Sequence, residues 1–272
     1  MPVIPIDDFS DPRLAHYRNL KDHELAAAGD LFIAEGLFVT QRLLRSKYPC
    51  QSVLCTPRKL DSVLPDLKPD VPLYLVPEAL MHDIVGYKFH TGALAIGQRL
   101  PAPPLASLVP AAGPATFVVL PQTNNLENLG AIARLCAGFG VDALIVGEQC
   151  GDPFYRRSLR VSMGTLLFLP VFCSTDLKHD LATLRDDHQF ELSATVLDPA
   201  AEPLAGARRT NPRMALLFGC EGEGLSRDYI SLCPRRLTIP MPAHIDSLNV
   251  STSAAIFLYH FTQFAAQAVR ST

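Results

Sequence analysis

Apolar and polar positions follow a repeating strand–helix pattern through the second half of the chain. Thr116–Leu120 is apolar and β-branched and predicts a buried strand, and Asn128–Phe139 has helical spacing. Ala143–Val146, Phe168–Cys173, Phe190–Val196, Met214–Phe218 and Arg236–Ile239 predict further strands, with a polar helix at Asp176–Asp187. A long helix from Asn249 to about Ala268 carries Ile256, Phe257, Leu258, Tyr259, Phe261 and Phe264. It is apolar around most of its circumference, so it should be covered on more than one side. Short strands separated by helices predict an α/β fold whose parallel sheet has helices on both faces. The first hundred residues are less regular. Leu31–Arg45 has helical spacing, Gln51–Thr56, Leu73–Val76 and Gly92–Ile96 read as strands, and Met81–Val85 as a helical turn. Prolines at 101, 103, 104, 110 and 114 interrupt both patterns. The expected organisation is therefore a small α/β domain over 1–100, a linker over 101–114 and a larger domain over 115–272.

Composition narrows the class. A hydrophobic fraction of 48% suits a globular protein. No apolar run is long enough to span a bilayer, and the start lacks a secretory pattern. Cysteines at 50, 55, 136, 150, 173, 220 and 233 are scattered, without CxxC pairs. They read as reduced thiols of a cytoplasmic protein, not as a disulfide frame or metal site. A net charge of −3 gives no broad basic footprint for a nucleic acid. Such a footprint must be local, and two clusters qualify: Arg13, Arg18 and Lys21, and Arg156, Arg157 and Arg160.

Three blocks stand at the ends of predicted strands, where parallel α/β sheets bind ligands. They are Asn124-Asn-Leu-Glu-Asn-Leu-Gly-Ala-Ile-Ala-Arg134, Leu217-Phe-Gly-Cys-Glu-Gly-Glu-Gly-Leu-Ser226 and Ile239-Pro-Met-Pro-Ala-His-Ile-Asp-Ser-Leu-Asn-Val-Ser251. The glycines permit close backbone approach, and Pro240 and Pro242 stiffen a loop that can read a flat ligand. A dinucleotide-binding domain is not indicated, because Pro-Gln-Thr-Asn-Asn follows the first strand in place of GxGxxG.

The order and spacing of these blocks resemble the three motifs of the SpoU/TrmH family of the SPOUT superfamily. The resemblance implies an S-adenosylmethionine-dependent methyltransferase acting on a ribose 2′-OH in rRNA or tRNA, with the cofactor in a trefoil knot. By the same resemblance, Gly219, Ile239 and Leu248, with Leu217 and Met241 in the same motifs, hold the cofactor. Asn128, Arg134, Glu221, Ser247 and Asn249 match the polar active-site positions. An arginine is a poor base, since it stays protonated, and a clamp on the RNA phosphate suits Arg134 better. Asn128 and Asn249 can also be helix caps. Two departures stand out: Ala243 replaces a glycine of the usual loop, and Asn125-Leu126 replaces Asp-Pro. The strings Tyr17–Lys21, Phe32–Gly36 and Phe89–Ala95 resemble, more loosely, the L30e-like RNA-binding domain preceding many SpoU domains. The resemblance further implies a homodimer built on the closing helix, and leaves open a non-catalytic RNA-binding protein of the same fold.

Overall fold

The computed structural model describes residues 3–18, 22–27, 30–86, 89, 92–242, 245 and 247–270, with backbone alone at 22 and 263–270. Lys21, Ala243 and the side chain of Phe264 lie outside the described residues. In chain order the first part carries β1 (Val3–Pro5), α1 (Asp22–Ala27), β2 (Leu31–Glu35), α2 (Leu37–Arg45), β3 (Cys50–Cys55), α3 (Leu60–Val63), β4 (Leu73–Leu75), α4 (Glu78–Val85) and β5 (Ala93–Gln98). There follow α5 (Leu105–Leu108), β6 (Ala115–Leu120), α6 (Leu126–Gly138), β7 (Ala143–Val146), α7 (Arg156–Val161), β8 (Val171–Cys173) and α8 (Leu177–Asp186). The last elements are β9 (Glu191–Thr195), β10 (Glu202–Pro203), β11 (Arg213–Leu217), α9 (Arg227–Leu232), β12 (Arg235–Thr238) and α10 (Val250–Arg270). Among the described residues no helix is long and apolar enough to cross a membrane.

The chain divides into two units, one of residues 1–101 and 152–168, the other of 102–151 and 169–272. In the first, five strands are ordered β1-β4-β3-β5-β2. The β1, β4 and β3 strands run parallel, while β5 is antiparallel to both of its neighbours, β3 and β2. Leu14, Tyr17, Ile33, Leu54, Met81 and Leu94 centre the core. The helix expected over Leu31–Arg45 is in fact two elements. All five residues of Leu31–Glu35 are buried, which no amphipathic helix permits, and they pair with β5 as a strand. Gly36, at φ 96°, then turns the chain into α2, a conformation costly for other residues.

Residues 152–168 depart from the expected boundary. This segment lies within the second sequence half yet packs into the first unit. Phe154 packs at a tilt against Phe32 and edge-on against Tyr48, with ring centroids 5.4 and 5.3 Å apart. Arg99 pairs with Asp152 at 2.7 Å, and Arg42 donates to the carbonyl of Met163. The Glu35 carboxylate, 4% exposed, pairs with Arg160 at 2.9 Å and Arg156 at 3.3 Å. A buried carboxylate needs such partners, because desolvation otherwise disfavours its charge.

The second unit holds a seven-stranded sheet, among the described residues, in the order β10-β12-β9-β11-β6-β7-β8. Every neighbouring pair is parallel, as the buried apolar runs predict. Phe117, Val119, Ile145, Leu181, Leu192 and Leu217 lie in one core cluster. The β8 strand is shorter than expected, starting after Pro170, which lacks a donor for the ladder. The proline-rich stretch is packed as well. Its α5 sends Leu105 into this core, and the carbonyl of Pro110 accepts from Arg213 at 2.9 Å. On α10, Phe257, Leu258 and Phe261 are buried, while Ile256 and Tyr259 are 39% and 61% exposed.

Replacing Glu35 with Ala should lower the unfolding free energy by about 1–3 kcal/mol, the usual range for losing hydrogen bonds to a charged group. The lower end is expected, since Arg156 and Arg160 reach solvent and can rehydrate. Urea denaturation measures this, and an unchanged midpoint would mean that these pairs contribute nothing.

Candidate active site

The second unit places all three sequence blocks at the carboxyl end of its parallel sheet. β6 leads into Pro121–Asn125, β11 into Phe218–Gly224, and β12 into Ile239–Pro242. Since β11 lies between β9 and β6, the chain's direction of winding changes here, opening a crevice at the strand ends.

A cavity of about 400 Å³ lies beyond the ends of β9, β11 and β12. Gly219, Ile239, Met241 and Leu248 line it, together with Glu221, Ser247 and Asn249. Leu217 does not; it is fully buried in β11, and its carbonyl accepts from the hydroxyl of Thr195 at 2.9 Å. The walls also include Thr195, Val196, Leu197, Phe218 and Phe257, which sequence reasoning did not single out. The signal for the first three was present, since Phe190–Val196 read as a strand and its end belongs to the same ligand-binding edge. Phe218 and Phe257 pack edge to face with centroids 5.8 Å apart.

Gly219 is needed for a reason other than ligand contact. A Cβ built on it would lie 2.1 Å from the Gly224 carbonyl carbon and 2.3 Å from the Leu225 nitrogen. The loop folds back on itself there. The Cys220 N–H donates to the Gly224 carbonyl at 3.2 Å, and the Gly224 N–H to the Cys220 carbonyl at 3.1 Å. Any larger residue at 219 therefore meets backbone of its own loop before it reaches the cavity.

One polar residue from each of the three blocks meets the others at one point. The Asn249 Nδ2 donates to Asn128 Oδ1 at 3.0 Å and to Glu221 Oε1 at 2.6 Å. Its Oδ1 meanwhile accepts from the Ser251 N–H at 2.9 Å, the Ser251 hydroxyl at 2.6 Å and the Thr252 N–H at 3.4 Å. Asn249 is thus both the cap of α10 and the bridge between blocks. Asn128 is not a cap. That role on α6 falls to Asn125, whose Oδ1 accepts from the Glu127 N–H at 2.9 Å. Asn128 is 5% exposed, and its Nδ2 has no hydrogen-bond partner among the described residues. Leaving such a donor unpaired costs about 1–3 kcal/mol.

A second cavity of about 290 Å³ adjoins the first, lined by Gln122, Thr123, Asn124, Asn125, Asn128, Cys220, Glu221 and Val250. Its floor is held by Cys150. That thiol donates to the Leu120 carbonyl at 3.0 Å and accepts from the Thr123 N–H at 3.1 Å. Burial pushes its pKa up, so it stays a neutral thiol at physiological pH and acts as a pin.

The expected basic residues are not among those lining either cavity. Arg134 is exposed on the third turn of α6, lines neither cavity, and makes no hydrogen bond or ion pair among the described residues. Arg156 and Arg160 belong to the first unit, engaged by Glu35, and Arg157 stands beside them on α7. Arg18 donates to the Asp11 carbonyl at 2.5 Å and lies over the Phe9 ring.

The fold and site together define an α/β protein whose ligand crevice is built from glycine- and asparagine-rich loops at the end of a parallel sheet. The model of the SpoU rRNA methylase family matches residues 115–259. A tRNA/rRNA methyltransferase of Mycobacterium bovis, described as uncharacterized, is 37% identical over 269 residues, 97% of this chain and 93% of that protein. The chain belongs to the SpoU methylase family. Among solved structures, an AdoMet-bound rRNA methyltransferase from Sinorhizobium meliloti shares the fold with a TM-score of 0.80, at 21% identity over 95% of this chain and 97% of that one. The SpoU methyltransferase AviRb from Streptomyces viridochromogenes is as similar, with a TM-score of 0.80 at 21% identity, covering 95% and 99%.

The two ends of Asn249 can be tested separately. Asn249→Ala should destabilise the protein by about 0.5–2 kcal/mol through loss of the cap. Asn249→Ser keeps a capping oxygen and should melt closer to wild type than Asn249→Ala, although it lacks the amide that donates to Asn128 and Glu221. Equal thermal destabilisation by both substitutions would show that the cap is not what residue 249 contributes to stability.

Proposed function

We propose that this protein transfers a methyl group from S-adenosylmethionine to a ribose 2′-OH in rRNA or tRNA. The observation that carries this reading is the junction of Asn128, Glu221 and Asn249 on the rim shared by the two cavities. The larger cavity fits a cationic nucleoside. Phe218, Phe257, Ile239, Met241 and Leu248 offer apolar surface, Glu221 supplies a carboxylate, and among the described residues no lysine or arginine lines it. S-adenosylmethionine, when bound, supplies an activated methyl on a sulfonium. The chain's contribution is then to align the acceptor hydroxyl and assist loss of its proton. The Asn249 amide fixes the Glu221 carboxylate at the rim, where its charge favours a cationic neighbour and can receive a hydroxyl hydrogen bond. Ser247 lies on the same wall.

In this reading the loop regions of residues 217–250 form the knotted cofactor site of the family, and the first unit is an L30e-like domain that engages the RNA. Its contacts with RNA would include Arg18, Lys21, Arg156, Arg157 and Arg160. The pairing of Arg156 and Arg160 with Glu35 gives those two a structural role as well. Arg134 clamps an RNA phosphate next to the acceptor ribose. A twofold dimer built on α10 would cover the exposed Ile256 and Tyr259.

The decisive measurement is incorporation of labelled methyl into unmodified RNA, followed by mass-spectrometric mapping to a ribose. Arg134→Ala should lower that rate about 100-fold or more, as for loss of a positioned charge, with cofactor affinity by calorimetry nearly unchanged. A parallel fall in cofactor affinity would remove Arg134 from the RNA side of the reaction. A monomeric mass by light scattering at micromolar concentration would overturn the dimer.

A further inference from the structure

The second cavity contains one side chain that neither the three blocks' matched positions nor the reading above uses. Thr123 is 2% exposed and lines this cavity, and its hydroxyl has no hydrogen-bond partner among the described residues. Its backbone is held at both ends: the N–H donates to Cys150 Sγ at 3.1 Å, and the carbonyl accepts from the Gly151 N–H at 3.0 Å. The side chain therefore projects from a fixed backbone, and a buried hydroxyl in that position is costly unless something else completes its hydrogen bonds. Asn128 Nδ2 is in the same condition on the same wall.

The lining indicates what completes them. Gln122, Asn124 and Asn125 bring side-chain amides, and no lysine or arginine lines the cavity among the described residues. Amides and hydroxyls suit the neutral hydrogen-bonding edges of a sugar and base, whereas a phosphate calls for cations. Cys220, Glu221 and Val250 line both cavities, so a group in the second lies one side chain away from the first.

We propose that Thr123 is a substrate-binding residue, its hydroxyl hydrogen-bonded to the sugar or base edge of the acceptor nucleotide held in this second cavity beside Asn128. This rests on the methyl-transfer reading given above. Phosphate contacts are made outside the cavity, and Thr123 acts on how the nucleoside is seated, not on the cofactor.

The test compares wild type, Thr123→Val and Thr123→Ser, using labelled S-adenosylmethionine and total RNA from cells of the source organism lacking this gene. Thr123→Val keeps the shape and removes the hydroxyl. It should lower kcat/KM for RNA about tenfold, the scale of one lost hydrogen bond, mainly through KM. Cofactor affinity should not change, and the melting temperature should stay level or rise, since no internal partner is lost. Thr123→Ser should restore the RNA term. Wild-type kcat/KM in Thr123→Val overturns the proposal, as does a drop in melting temperature together with failure of Thr123→Ser to restore activity. Absence of methyl transfer by the wild type overturns the methyl-transfer reading itself, and this proposal with it.

Discussion

A single side-chain amide joins three stretches of chain that lie far apart in sequence. The oxygen of Asn249 is committed to the first turn of α10, and both hydrogens of its nitrogen are committed to Asn128 and Glu221. Helix start and active-site geometry are therefore one constraint. Leu248 cannot shift far without moving the cap, and the cap cannot loosen without releasing the glycine loop and the head of α6. Asparagine suits this position because it presents acceptor and donors on one rigid plane. Aspartate would cap equally well but would place a carboxylate against Glu221.

Around that point the sheet supplies position and the loops supply chemistry. Parallel strands buried on both faces give a rigid edge, and the first two loops leaving it are each tightened by their own device. The first is pinned by the Cys150 thiol, the second closes through Cys220 and Gly224, and the third carries Pro240 and Pro242. Preorganisation of this kind leaves little ordering to be done when a ligand arrives.

Much of this could be read in the sequence, because the features concerned are local. The buried strands announce themselves as apolar runs, and the three blocks as polar and glycine-rich departures at the strand ends. What could not be read depends on tertiary partners. Leu31–Glu35 has a spacing that a helix also satisfies, and only pairing with β5 makes it a strand. Gly219 reads as a ligand contact and does line the larger cavity, but its close approach to its own loop at Gly224 and Leu225 could not be read. Arg156 and Arg160 read as a phosphate footprint, and their pairing with Glu35, more than a hundred residues away in sequence, gave no signal there. Thr123 carries no signal at all in sequence, since an unpaired hydroxyl is a property of its surroundings.

The placement of residues 152–168 in the first unit bears on how the chain comes into being. Synthesis proceeds from the N-terminus at roughly 5–20 residues per second, and domains ordinarily fold as they emerge. Here the first unit is incomplete when its own leading segment has been made. Glu35 has no cation, and Phe32 and Tyr48 have no Phe154, until the chain has also produced β6, α6 and β7 of the other unit. The first unit must wait, partly formed, with a carboxylate and an aromatic surface uncovered. The two units are thus interleaved in covalent order, and a cut at residue 101 would part the first unit's leading segment from residues 152–168.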